Sequence, residues 1–458
     1  MNSFFIDGDE IFVFVDPVHV LKAIRNALID QHAQGFNLLL SEDFVKKHGL
    51  PSNEVSVKPL DALVNFQATA TWKFAPRLSS KCLKLEHFDK MKVGPAKNLL
   101  SWESAVGIRY LIKHQNQPEA WETTAFFCER VAKWFDLVSS RKPSLSISLN
   151  NFEQRSSELN LFMEMIDGMQ LSKAHCVARE RKPLQRAVLL SAKSLIDLAR
   201  QLLQKENWKF VMGGRFLGDA VENINSGIRY KNPKPTSLQT RMCVKCLTFL
   251  HNLKPPKDAS YDADDENFWL TQLNDLKKVE KAQAPCDHVE EESEFVIVVD
   301  DVRNHAQDNA RAYCNGYVLT ATICRQSFCD ECKNAWTCAE PCLEEHEFIT
   351  DKSFKAGALV YPSLLAIEVF NMCESSFLKN QKLLETSGKL QKLVDDLESF
   401  VESTHVIPKC HLNLILRRWF KIRMFIHASE INSEMRQSQA KVIRSAANSS
   451  KTMKGKYV

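Results

Sequence analysis

The chain has 458 residues, with 60 Lys and Arg against 56 Asp and Glu, a net charge of +4, and 44% hydrophobic and 25% charged residues. These ordinary values exclude a mostly disordered, collagenous or fibrous chain, and so weak a positive excess does not by itself announce a nucleic-acid binder. No apolar run reaches the roughly 18 residues that span a bilayer, and Asp7, Asp9 and Glu10 stand where a secretory signal carries basic residues, so a soluble intracellular chain of several domains with no membrane partner is expected.

Ile11 to Val15 (IFVFV) is a short β-branched and aromatic run, the pattern of a strand buried on both faces. Asp16 and Pro17 end it, and Val18 to Ile29 returns apolar residues at helical spacing, with Pro17 where a helix start accepts it. Asp16 therefore sits where a strand hands over to a helix.

From about Ser41 to Gln204 the pattern is helical, clearest over Leu99–Ile112, Trp121–Val138, Leu159–Met169 and Ala187–Leu203, with breakers at Pro51, Gly94-Pro95, Pro118, Pro143 and Pro183. Gly213-Gly214 precedes a further helical stretch, Phe216 to Ile228, and Ser237 is placed to cap a helix over Leu238 to Leu250. Lys257 to Asp301 carries 14 acidic against 4 basic residues, and Ser433 to Val458 carries 6 basic against 1 acidic. They read as an acidic linker and a basic tail. Between them a second helical block runs from about Asn309.

Fourteen cysteines in an intracellular chain suggest buried thiols or metal ligands more than a disulfide scaffold. Five of them, Cys324, Cys329, Cys332, Cys338 and Cys342, fall within nineteen positions. Cys329 and Cys332 have zinc-knuckle spacing, and Cys338 with Cys342, or with His346, would complete a tetrahedral Zn²⁺ site. Cys338, Cys342 and His346 equally fit one face of a helix as core residues. Cys243 and Cys246 lie within a helical pattern with no second pair nearby and read as core thiols.

Two features suggest an acidic metal site. Asp16 ends a hydrophobic run, while Asp219 and Glu222 are three apart and so share a helix face. Carboxylates are the donors Mg²⁺ prefers, and paired ions of this kind assist phosphodiester chemistry. A helix cap and two solvated acids is the competing interpretation. His19, Lys22 and Asn26 follow Asp16 on adjacent turns and are candidates to touch a phosphate or orient a carboxylate. His411 to His427 combines the stripe Leu412, Ile415, Leu416, Trp419 and Ile422 with Arg417, Arg418, Lys421 and Arg423, which suits either a core helix or a helix laid on DNA phosphates.

The segments DPVHVLKAIRNAL (Asp16 to Leu28) and RFLGDAVENINSGIR (Arg215 to Arg229) resemble the stretches that carry the second catalytic Asp and the catalytic Glu of the P-element-type, THAP-domain-containing DNA transposase family. YCNGYV (Tyr313 to Val318) and GALVYPSLLAIEVF (Gly357 to Phe370) resemble its C-terminal helical region. The 206 positions between Asp16 and Glu222 match the family's habit of splitting the catalytic core with a helical GTP-binding insertion.

The resemblance implies an α+β, mainly α chain. Its parts are a partial RNase H-like (DDE transposase) core over 1–40, a helical GTP-binding-type insertion over 41–204, the C-terminal part of that core over 205–255, an acidic linker over 256–308, a helical C-terminal domain over 309–432 and a basic tail over 433–458. It implies Mg²⁺-dependent DNA cleavage and strand transfer with GTP as cofactor, Asp16 and Glu222 as Mg²⁺ ligands, Asp219 as helper, transposon-end DNA as partner, a homo-oligomer and a nuclear location. Arg179, Arg181, Lys182 and the basic tail are candidate nuclear signals. No GxxxxGK[ST] phosphate loop occurs, so GTP rests on the resemblance alone. The family's first catalytic Asp belongs to a strand upstream of the segment beginning at Met1. A truncated or domesticated member is therefore expected, catalytically incomplete and acting as a nucleotide- or DNA-binding protein or an interaction scaffold.

Overall fold

The structure, a computed structural model, describes residues 2–85, 89–171, 182–218, 222, 225, 228–229, 234–250, 295–298, 304–324, 329–352, 360–387 and 390–432. Asp219, Arg179, Arg181, most of the acidic segment and the 433–458 tail lie outside the described residues. The chain divides into two compact units, Met1–Ala70 with Phe74–Asp265 and Thr71–Lys73 with Glu266–Val458. Helices dominate the described residues, and strands there are only two to four residues long.

The first unit opens on a hairpin, β1 (Ser3–Ile6) against β2 (Asp9–Phe12), turned by Asp7 and Gly8, both at positive φ. The strand expected over Ile11 to Val15 is corrected here in extent and burial: β2 stops at Phe12, and Ile11 is exposed. Burial on both faces needs neighbouring strands, and β2 has only β1 among the described residues. Val13 N still donates to Asn2 O at 2.9 Å, but Val13 O and both backbone groups of Val15 bond to hydroxyls. Ser191 Oγ accepts from Val15 N at 2.8 Å and donates to Val15 O at 3.0 Å, while Ser194 Oγ donates to Val13 O at 2.6 Å. An RNase H-like sheet is thus not assembled among the described residues.

Helix α1 (Pro17–Ala33) follows, with Asp16 as cap and Pro17 at its first position. Its core face, Leu21, Ile24 and Leu28, is fully buried, each residue contributing roughly 1.5–3 kcal/mol. Arg25 on the same helix is buried but not charged without partners: its guanidinium donates to the carbonyls of Lys90 and Lys92, and Asn26 Oδ1 accepts from its Nε. Asn26, a candidate phosphate contact in the sequence, therefore orients a core arginine.

Next come β3 (Leu38–Leu39), α2 (Glu42–Lys47), β4 (Glu54–Val55), α3 (Lys58–Phe66), α4 (Ser80–Leu83), α5 (Gly94–Leu99), α6 (Trp102–His114), α7 (Glu122–Val138), α8 (Phe152–Asp167), β5 (Gln170–Leu171) and α9 (Pro183–Arg200). The three short strands form one antiparallel ribbon, a feature absent from the helical reading of this stretch. Helix α6 packs on α7, α8 on α9, and α1 on both α7 and α9. Buried Gln185 closes the α8–α9 corner, its Nε2 donating to the carbonyls of Ile166, Asp167 and Met169 at 2.9, 3.1 and 2.8 Å. Between α6 and α7, Arg109 bridges Glu122 and Glu129, and Lys133 adds a 2.9 Å bond to Glu129. Burial alone would raise the Glu129 pKa, but the Lys133 hydrogen bond and the Arg109 charge outweigh it and hold the carboxyl below its usual range.

Helix α10 (Ser237–Leu250) is capped one residue earlier than the sequence suggests: Thr236 Oγ1 accepts from Gln239 N, and the Gln239 side chain accepts from Thr236 N. That is a capping box. On it Cys246 is exposed and Cys243 half-buried, so the expectation of core thiols fails at Cys246.

In the second unit, α11 (His305–Leu319), α12 (Asp330–Trp336), β6 (Thr337–Cys338), α13 (Glu347–Lys352), β7 (Tyr361–Pro362), α14 (Leu364–Ser387), α15 (Leu390–Thr404) and a last helix, α16 (412–432), enclose a separate core. A Cβ on Gly316 would collide with the carbonyl of Val360, so this glycine lets the segment before β7 lie directly on α11. The stripe Leu412, Ile415, Leu416, Trp419 and Ile422 is buried, and Asn315 accepts the Trp419 indole N–H at 3.1 Å. Arg423 is buried against Glu374, at 2.9 and 3.1 Å, and lies 4.2 Å over the Phe377 ring. It is a core ion pair, removed from any phosphate-binding face.

Candidate divalent-metal site

Three residues of the first unit converge: Asp16, His19 and Glu222 place one donor atom each within 4.8 Å of one another. Asp16 and His19 are brought together by the helix start itself, because a cap residue and the third helical residue face the same end. Asp16 Oδ1 accepts from Val18 N at 2.9 Å, which leaves Oδ2 for other work. His19 turns away from the helix, its Nε2 2.7 Å from Glu222 Oε1 across 203 positions of sequence.

Two tight approaches bring residue 222 to α1. Phe14 stacks on Phe216, with ring centroids 5.0 Å apart and planes at 8°. Gly213 and Gly214 lie against the carbonyl end of α7: a Cβ on Gly213 would sit 2.5 Å from Leu137 O, and one on Gly214 2.7 Å from Ser140 O. Glu222 N donates to Gly218 O at 3.0 Å, and Gly218 presents no side chain to Asp16, whose Oδ2 lies 3.0 Å from where a Cβ would be. Asp219, the expected helper, lies outside the described residues.

The donor set fits one divalent cation. Mg²⁺ is commonly held by one or two carboxylates with water filling the remaining positions, and the side chains of His19 and Glu222 are 56% and 37% exposed, which leaves room for water. The two carboxylates suit Mg²⁺ or Mn²⁺, and the imidazole nitrogen widens the set toward Zn²⁺. Asp16 caps the helix through Oδ1 and can still offer Oδ2 to a cation, so the two readings of that residue do not compete.

The cysteine cluster divides differently from its sequence order. Cys329 and Cys332 meet Cys410 and His411, and Cys338 and Cys342 do not join them. The latter two pair with each other, sulfur to sulfur at 3.5 Å. His346 cannot complete a site there because both ring nitrogens are used: Nδ1 accepts from Cys342 N at 3.1 Å and Nε2 faces Pro362 O at 2.7 Å. Burial keeps its pKa below the ordinary histidine value and pushes the Cys338 thiol up to about 11. Cys410 and His411 were outside the sequence-derived ligand set.

Residues 18–150 match the family model of the TNP-like, GTP-binding insertion domain. The chain is 22% identical over 273 residues to the transposable element P transposase of Drosophila melanogaster, a match that covers 58% of this chain and 34% of that protein. It spans about a third of that relative's length. A further likeness is to the Drosophila P element transposase strand transfer complex, at 19% identity and a TM-score of 0.46 over 56% of each chain. Over part of its length the chain is thus similar to a P element transposase, and residues 18–150 match a GTP-binding type of insertion domain. No helix among the described residues is long and apolar enough to cross a membrane.

Proposed function

We propose that this chain is a P-element-transposase-derived protein in which Asp16, His19 and Glu222 hold one divalent cation, Mg²⁺ or Mn²⁺, and whose insertion domain binds GTP. One observation carries the reading: the 2.7 Å contact between His19 and Glu222, beside the free oxygen of Asp16, at the end of a 203-position detour. A bound divalent cation supplies Lewis-acid stabilisation of a phosphate oxygen and a more acidic water. Asp16 and Glu222 give the negative charge that holds it, and His19 Nε2 adds a neutral nitrogen donor.

Among the described residues the group has two carboxylates, whereas the family's cleavage chemistry uses three acids, and removing one member of such a unit forfeits most of the rate. We therefore assign cation and nucleotide binding to this chain by itself, and DNA cleavage and strand transfer to a complete three-acid set. Transposon-end DNA, self-association and a nuclear location belong to the same proposal. Calorimetric titration with Mn²⁺ tests it: Glu222→Gln should weaken binding about tenfold or more, a loss of about 1.4 kcal/mol. Equal affinity in wild type and variant would remove the site.

A further inference from the structure

The second unit holds a cluster that the proposal above does not use. Cys329 sits at the cap position of α12 (Asp330–Trp336), and Cys332 is buried one turn on beside Trp336. Cys410 and His411 occupy the 3₁₀ turn Lys409–His411, between Pro408 and the start of α16. The Cys332 sulfur lies 3.0 Å from that of Cys410, which is itself 3.7 Å from the Cys329 sulfur. His411 Nδ1 lies 3.2 Å from both the Cys332 and the Cys410 sulfurs. All four donor atoms fall within 4.8 Å of one another.

Three thiols and an imidazole this close need a reason. Bonds of about 2.3 Å to sulfur and 2.05 Å to nitrogen around a tetrahedral Zn²⁺ put S···S edges at about 3.8 Å and S···N edges at about 3.6 Å. The 3.7 Å Cys329–Cys410 edge lies at that length, the two 3.2 Å His411 edges fall about 0.4 Å short of it, and the 3.0 Å Cys332–Cys410 edge falls about 0.8 Å short, so those three would open slightly around the ion. A Cys332–Cys410 disulfide would account for one short edge only and leave Cys329 and His411 without a role in the cluster. Both halves stand on rigid supports, α12 packed on α14 and an α16 whose first residue, Leu412, is fully buried.

We infer that Cys329, Cys332, Cys410 and His411 form a structural Cys₃His zinc site that clips the start of α12 to the start of α16 across 78 positions of sequence. Four protein donors close the coordination shell, which makes the site structural rather than hydrolytic. Its ligands are acquired only on folding, so zinc binding is coupled to the stability of this unit.

The test uses the full chain, expressed with zinc and purified under reducing conditions. Metal analysis should give one zinc per chain, released in proportion as thiols are titrated with a mercurial. Replacement by Co²⁺ should give sulfur-to-metal charge-transfer and tetrahedral d–d bands, a readout that needs no variant. Cys410→Ser should reduce bound zinc to a trace, while Cys338→Ser with Cys342→Ser retains one per chain. A zinc-free reduced chain that gives no cobalt bands, a Cys332–Cys410 disulfide in its place, or loss of zinc only in the Cys338/Cys342 pair would each overturn the inference.

Discussion

At Asp16 one carboxylate can serve two partners, and the geometry shows why they coexist: Oδ1 is taken by the helix start and Oδ2 faces Gly218. The Asp16–His19 half of this site was legible in the sequence because both residues lie at one helix start. The Glu222 half was reached only through resemblance, since no local periodicity joins positions 203 apart. The zinc ligands divide in the same way. Cys329 and Cys332 announce themselves by spacing, whereas Cys410-His411 is an unremarked dipeptide until the fold carries it to them. Gly213 shows the opposite case, a residue with no chemistry that positions the site. With Leu137 O 2.5 Å from its prospective Cβ, Gly213→Ala should destabilise the first unit by about 1–3 kcal/mol. Denaturant titration checks this, and an unchanged midpoint would show that the segment yields without cost.

At the scale of elements, the long helices followed their patterns. Helix α7 ends at Val138, where the apolar spacing ends, while α9 begins at Pro183, four residues before the spacing at Ala187, because that proline opens the helix and does not break it. Short strands did not follow: IFVFV has the composition of a buried strand, but composition cannot supply neighbours, and the serines of α9 take the place of one. Helix α16 illustrates the ambiguity of a basic amphipathic stretch. Its apolar stripe is core, and Arg423, counted by sequence with the basic face, is spent on Glu374. Arg417 and Lys421 remain on its exposed side, with Arg417 donating to Gln391 at 2.7 Å.

At the scale of the molecule, the match to a GTP-binding insertion domain over 18–150 begins inside α1, whose first turn bears His19 of the metal site. The proposed nucleotide and metal functions therefore share one helix and one core. GTP at about a hundred times its Kd should stabilise the native chain by about 2.7 kcal/mol, read as a rise in Tm that ATP at the same concentration does not produce. A Tm that stays flat at millimolar GTP would count against nucleotide binding while leaving the metal reading intact.

The central claim is that one cation is held jointly by the start of α1 and Glu222. Pulsed electron paramagnetic resonance of Mn²⁺ with the full chain reads this directly. Nitrogen coupling from His19 should be present in the wild type and absent in His19→Ala, with Mn²⁺ still retained by the carboxylates. A wild-type spectrum indistinguishable from the free aquo ion would contradict the account and reduce the His19–Glu222 contact to an ion pair that holds the fold together.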